Sequence, residues 1–172
     1  VSGIAERRGG DDSPDGVSLR QVSQASDAVL RESRNALEQV KTAIVNFIAS
    51  QWDREEIQPV PELLYSIRGS LQLIPLERTG AILEAAERFV RDALLNEHFT
   101  PDWSQLDTLA DAITSIEYYL ERLSDGIQDN EAILTMAEQR LDNLGFPPGQ
   151  EPTWQLPEST REIAASEPES AA

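Results

Sequence analysis

The apolar positions of this chain fall into five stretches with helical spacing. In the first, Val22, Val29, Ala36, Val40, Ala43 and Phe47 recur about every third or fourth residue, and Leu37, Ile44 and Ile48 widen the stripe. The spacing predicts a helix from about Ser18 to Gln51, roughly 50 Å long at 1.5 Å per residue. The second carries Val60, Leu64, Ile67, Leu71 and Ile74; it starts near Pro59–Pro61, where a first turn accepts proline. Pro75 ends or kinks it, since proline lacks the backbone donor and clashes with the preceding turn. A third helix is expected from about Leu76 to Leu95, with Ile82, Leu83, Ala86, Phe89, Val90, Ala93 and Leu94 inward. For the fourth, Thr100 is the expected cap and Pro101 the first helical position, and the seam runs Leu106, Leu109, Ile113, Ile116, Leu120, Leu123, Ile127. The fifth follows Asn130 with Ile133, Leu134, Ala137, Leu141 and Leu144, and stops at Gly145, Pro147 and Pro148.

No stretch alternates as a strand does. Short links between amphipathic helices imply antiparallel neighbours. The expected fold is therefore all-α: an antiparallel up-down four-helix bundle with a long or additional N-terminal helix and disordered ends. Residues 1–17, rich in Gly, Asp, Ser and Pro, are expected to be a disordered linker, because they cannot bury enough surface to offset ordering entropy. Residues 18–146 form the bundle. Residues 147–172, with Pro147, Pro148, Pro152, Pro157 and Pro168 among glutamates, are expected to be an acidic Pro/Ala-rich linker. The chain opens on Val1 and not Met, and reads as a piece of something larger.

Charge then narrows the partners. A net charge of −17 over 172 residues, with Arg7–Arg8 the one basic cluster, argues against nucleic acid, whose binding requires cations that displace counterions from phosphate. Anionic membrane surfaces repel the chain for the same reason. No apolar run approaches the roughly 18 residues of a membrane span, and no secretory signal opens the chain, so a cytoplasmic location without membrane insertion is expected. The absence of cysteine rules out disulfides and thiolate chemistry.

Catalytic chemistry has little to work with. His98 is the single histidine, so paired metal-ligating motifs cannot be built, and it is expected to be an ordinary loop residue. The glycines are scattered and form no phosphate loop. Glu84, Glu87, Glu117 and Glu121 fall off the apolar seams and are expected to coat solvated faces. No catalytic residue, metal site or cofactor is therefore expected.

One stripe stands out. Tyr65, Arg68, Gly69 and Gln72 are spaced i, i+3, i+4, i+7, outside the Val60–Ile74 seam, and are expected to be exposed. A mid-helix glycine costs about 0.5–1 kcal/mol relative to alanine, so Gly69 fits a place where another surface comes close. Tyr118 and Tyr119 are candidate interface aromatics, and consecutive residues cannot share a helix face. Trp52 and Trp103 are expected to cover bundle ends, whereas Trp154 stands alone in the tail.

The segment Leu64-Tyr65-Ser66-Ile67-Arg68-Gly69-Ser70-Leu71 resembles the phosphoacceptor helix of histidine-containing phosphotransfer (HPt) domains, whose pattern is His, two residues, Lys or Arg, then Gly. The resemblance implies a helical bundle with Arg68 at the basic position and Gly69 at the glycine that leaves room for a receiver domain. Tyr65 stands at the acceptor position, and a phenol cannot replace imidazole as a reversible phosphoryl carrier. Together with the run Leu109–Glu121, the segment is also similar to the N-terminal region of the chemotaxis-like hybrid kinases of type IV pilus systems (ChpA or PilL) and to the scaffold FimL. That resemblance implies a non-catalytic, pseudo-phosphotransfer docking module in the two-component control of twitching motility. Its partners would be response-regulator receiver domains or polar scaffold proteins, which could recruit it to the cell pole. Two alternatives stand beside it. One is a structural spacer or self-association module built on the long first helix; the other is phosphoryl transfer to a hydroxyl of Tyr65, Ser66 or Ser70.

Overall fold

The computed structural model describes residues 19–127 and 129–158. The expected linker at 1–17, the part of the expected 147–172 linker from 159 on, Ser18 as the first helical residue, and the Val22 side chain lie outside the described residues.

Six helices make up the described chain: α1 (Leu19–Ala49), α2 (Arg54–Ile57), α3 (Val60–Leu71), α4 (Glu77–Arg88), α5 (Trp103–Ser124) and α6 (Glu131–Asn143). The expectation of an all-α bundle holds. Contacts run from α1 to α3, α3 to α4, α4 to α6, α6 to α5 and α5 back to α1, so five helices close a ring around one core. In α1 the buried seam is Leu30, Ser33, Leu37, Val40, Ile44 and Phe47. Val29, Ala36 and Ala43 flank it, because the larger leucines and isoleucine take the centre of the stripe. In α3, Val60, Leu64, Ile67 and Leu71 are buried as the spacing predicts, and the helix ends at Leu71, before Pro75.

Several boundaries differ from expectation. A short helix, α2, follows a turn in which Gln51 and Trp52 have φ of 59° and 75°, the left-handed region that side chains disfavour. Trp52 packs its ring on Phe47 at 5.4 Å, and Asp53 caps α2 by accepting from the Glu55 N–H at 3.1 Å. The helix α4 continues as a wider π turn over Phe89–Leu94, where the Leu95 N–H reaches back to the Val90 carbonyl at 2.9 Å. That turn keeps Phe89, Val90, Ala93 and Leu94 all inside the core.

Asp102, not Thr100, caps α5. Its carboxylate accepts from the Gln105 N–H while the Gln105 side chain accepts from the Asp102 N–H, each at 3.0 Å. This reciprocal capping box is a better terminus than Thr100 could offer. At the other end Gly126 turns the chain at φ 76°, which leaves Ile127 exposed and outside the seam. Asn130 precedes α6, but its side chain donates to the Ile127 carbonyl at 2.7 Å and does not cap the helix.

Beyond α6 the chain folds back. Gly145 has φ 90°, and a Cβ there would stand 2.7 Å from Cβ of Trp154. The Thr153 and Trp154 N–H groups both donate to the Gly145 carbonyl, at 2.8 and 3.0 Å. Trp154 then packs edge-on against Phe99 at 5.3 Å and over Phe146 at 6.0 Å, and Phe146 meets Phe89 at 5.6 Å. Trp154 therefore does not stand alone: it closes an aromatic series at the bundle's end. Among the described residues no helix is long and apolar enough to cross a membrane.

Candidate docking face

The seam of α3 faces the core through Val60, Leu64, Ile67 and Leu71, which turns the intervening positions outward. Tyr65 is 62% exposed, and Gly69 and Gln72 are exposed on the same side; Arg68 is half-buried beneath them. The four residues of the stripe therefore share one face. Ser66 is exposed and Ser70 half-buried.

At Gly69 a Cβ would meet nothing within 4 Å, so no internal contact requires glycine there. The gap opens outward. Arg68 lies over the Tyr65 ring with its guanidinium carbon 5.3 Å from the ring centroid. Its Nη2 donates to Oε2 of Glu87 at 2.9 Å, and Nη1 lies 3.8 Å from Glu84. Glu87, on α4, is only 3% exposed, and its other oxygen accepts from Arg91 at 2.6 Å.

Glu87 thus corrects the expectation that it coats a solvated face. Both oxygens of this buried carboxylate are taken by guanidinium groups, which is the condition under which a charge is tolerated inside. The pair Glu87–Arg91 at i, i+4 was a signal in the sequence; the Arg68 partner comes from another helix. Glu117 is likewise half-buried, bonded by Lys41 of α1 at 2.7 Å, and burial pushes its carboxyl up from the ordinary carboxylate range.

The Tyr65 ring and Arg91 border an open groove of about 460 Å³ whose other walls are Gln58, Pro61, Glu62 and Leu95. On the far side of Arg68 a second groove, about 310 Å³, runs between the end of α3 and the start of α4 past Gly80. The site therefore presents one aromatic ring, two cations held by one buried carboxylate and two shallow grooves.

Tyr118 and Tyr119 lie elsewhere, on α5, which packs against α1 and α6. The structure does not join Tyr118 to the Tyr65 stripe. Tyr118 is 48% exposed with Arg122 stacked 5.5 Å from its ring. Tyr119 packs against the core, and burial pushes its phenol up from the ordinary tyrosine value. Trp103, expected to cover a bundle end, is 67% exposed, because the capping box starts α5 with that side chain turned outward. His98 sits half-buried in the loop between the π turn and α5.

Comparison with known proteins gives one family and one relative. The profile of the FimL C-terminal domain matches residues 20–141. The scaffold protein FimL of Pseudomonas aeruginosa is 29% identical over 136 residues, which is 77% of this chain and 24% of that protein. The chain thus spans about a quarter of the relative's length. No solved structure matches it.

Proposed function

The chain belongs to the FimL C-terminal domain family, and from that premise we propose that it is a docking module of a scaffold in the control of type IV pili. In this reading it is a pseudo-phosphotransfer bundle in a chemotaxis-like two-component system governing twitching motility. It keeps the receiver-facing surface around Tyr65, Arg68, Gly69 and Gln72 and performs no phosphoryl transfer. The relative's name, a scaffold protein, supports a role in holding other proteins together. Receiver domains or polar scaffold proteins are the partners, and they would bring the module to the cell pole from the cytoplasm.

One observation carries the reading: an exposed phenol lies beside a cation that is held in place from below. Arg68 cannot swing freely while Glu87 holds it, so the ring and the guanidinium present a preformed shape. A phenol at this position lacks the imidazole nitrogen that carries phosphate reversibly, which argues against transfer chemistry.

The test is binding of the system's receiver domains and polar scaffold proteins to this chain and to Gly69→Arg. A Cβ at this position meets no atom within 4 Å and the longer side chain starts into open space, so the fold should survive while the docking face is blocked. Loss of a measured interaction in the variant is expected. Absence of any partner among those proteins, or binding that Gly69→Arg leaves unchanged, overturns the docking face; transfer of phosphate to Tyr65, Ser66 or Ser70 overturns the non-catalytic role.

A further inference from the structure

The outer side of α5 carries a second surface with a different character. Trp103, Asp107, Asp111, Tyr118, Glu121 and Asp125 follow one another at steps of four, four, seven, three and four residues, so they lie along one face. That face is about 33 Å long at 1.5 Å per residue. All six side chains are exposed. The inner side of the helix is spent on the core through Leu106, Leu109, Ile113, Ile116 and Leu120, and no other element of the described chain covers the outer one.

Two properties set this face apart from an ordinary solvated helix. The first is its unbalanced charge. Among the described residues Asp107, Glu121 and Asp125 form no ion pair, and Asp111 has Arg140 only at 3.9 Å. The second is its aromatic content. A tryptophan exposed at 67% and a tyrosine at 48% leave large apolar rings in water, with Asp107 and Asp111 between them and Glu121 and Asp125 beyond the tyrosine. The Tyr118 ring already holds a cation, since the Arg122 guanidinium lies 5.5 Å from its centroid and donates to the Tyr118 hydroxyl at 3.2 Å. Trp103, a stronger acceptor of cations than tyrosine, has none over it among the described residues.

We infer that the outer face of α5 binds an arginine-rich segment of a protein partner. Its guanidinium groups would stack on Trp103 and pair with Asp107 and Asp111, then continue toward Glu121 and Asp125. The net charge of −17 favours the approach of a basic segment over any acidic one. This surface is separate from the Tyr65 face, and the inference stands whether or not that face binds a receiver domain.

The probe is a synthetic peptide of about 20 residues with arginines at alternating three- and four-residue steps, long enough to match the face. It is titrated into the whole 172-residue chain at about 0.15 M salt, where long-range attraction is largely screened. Trp103→Ser with Tyr118→Ser should weaken binding by about tenfold without changing any charge, as expected of aromatic hot spots. Asp107→Asn with Asp111→Asn should weaken it similarly. The control is Glu55→Gln with Asp92→Gln, exposed carboxylates on other elements, which makes the same change in charge and should stay within about twofold. Equal weakening by both acidic pairs, no effect of the aromatic pair, loss on Tyr65→Ser, or no binding at all overturns the inference. Circular dichroism of each variant excludes unfolding as the source of a loss.

Discussion

The α3–α4 face and the outer face of α5 are built from the same materials, an exposed aromatic ring with charges around it, and dispose of those charges in opposite ways. Under Tyr65 the charges close on one another: Arg68 and Arg91 share the two oxygens of a carboxylate that is 3% exposed. Along α5 the carboxylates of Asp107, Glu121 and Asp125 are left to solvent. Internal pairing makes the first face rigid and weakly charged, suited to a partner recognised by shape. Unbalanced charge makes the second a steering surface, suited to a partner of opposite sign. The difference shows that an exposed tyrosine says little about its ligand until the charges beneath it are followed to their partners.

The sharpest way to break this contrast is to remove the buried carboxylate. Glu87→Ala should lower the unfolding free energy by about 2–3 kcal/mol, because it leaves two guanidinium groups converging with only the more distant Glu84 as counter-charge. Urea denaturation reads the loss. A change below about 0.5 kcal/mol would mean that the pairing under Tyr65 is no more structural than a surface ion pair.

Next in size is the cap that sets where α5 begins and hence where Trp103 points. Asp102→Ala should cost about 1 kcal/mol in thermal or urea denaturation. The Ser104 hydroxyl, then the Gln105 N–H, hold the Asp102 carboxyl below the ordinary carboxylate range. A group with a depressed folded-state pKa stabilises the fold above its unfolded value, and this contribution disappears as pH falls through the folded value. Asp102→Asn retains the cap without the titration. Wild type should therefore lose stability relative to Asp102→Asn only on acidification below about pH 4.

Salt separates the two faces more gently. Binding of the arginine-rich peptide to α5 should weaken severalfold between about 0.05 and about 0.5 M salt, whereas capture of a partner through Tyr65 should change by less than about twofold. The smallest effect expected is on stability at α5 itself. Asp107→Ala should stay within about 0.5 kcal/mol of wild type, since that carboxylate touches no cation. A larger loss would mean that its charge is used inside the fold.

How much of this was legible depends on whether a residue's surroundings come from its own helix. The seams of α3 and α5 were readable because Leu64, Ile67, Leu106 and Ile113 repeat at the helical period. Arg68 was expected to be exposed and is half-buried, drawn toward Glu87, whereas the outward position of Tyr65, Gly69 and Gln72 followed from the same geometry. Glu87 did not, because its burial depends on Arg68, 19 residues away on a facing helix, and a lone glutamate carries no mark of that. Asp102 displaced Thr100 because a reciprocal bond with Gln105 outweighs a simple cap signal. Short α2 was hidden by its length: four residues show no periodicity.

Trp154 carries a consequence for how the module can be handled and attached. A cut made after Asn143, where the last helix ends, would remove Phe146 along with Trp154 and leave their buried ring partners, Phe89 and Phe99, uncovered. The natural seam between this unit and whatever is joined beyond it therefore lies past Trp154. Gly145 works as the latch, since any side chain there collides with the indole-bearing residue. A tag, a fused domain or a load pulling on that side would act first on the latch, and reach α6 only after it had opened.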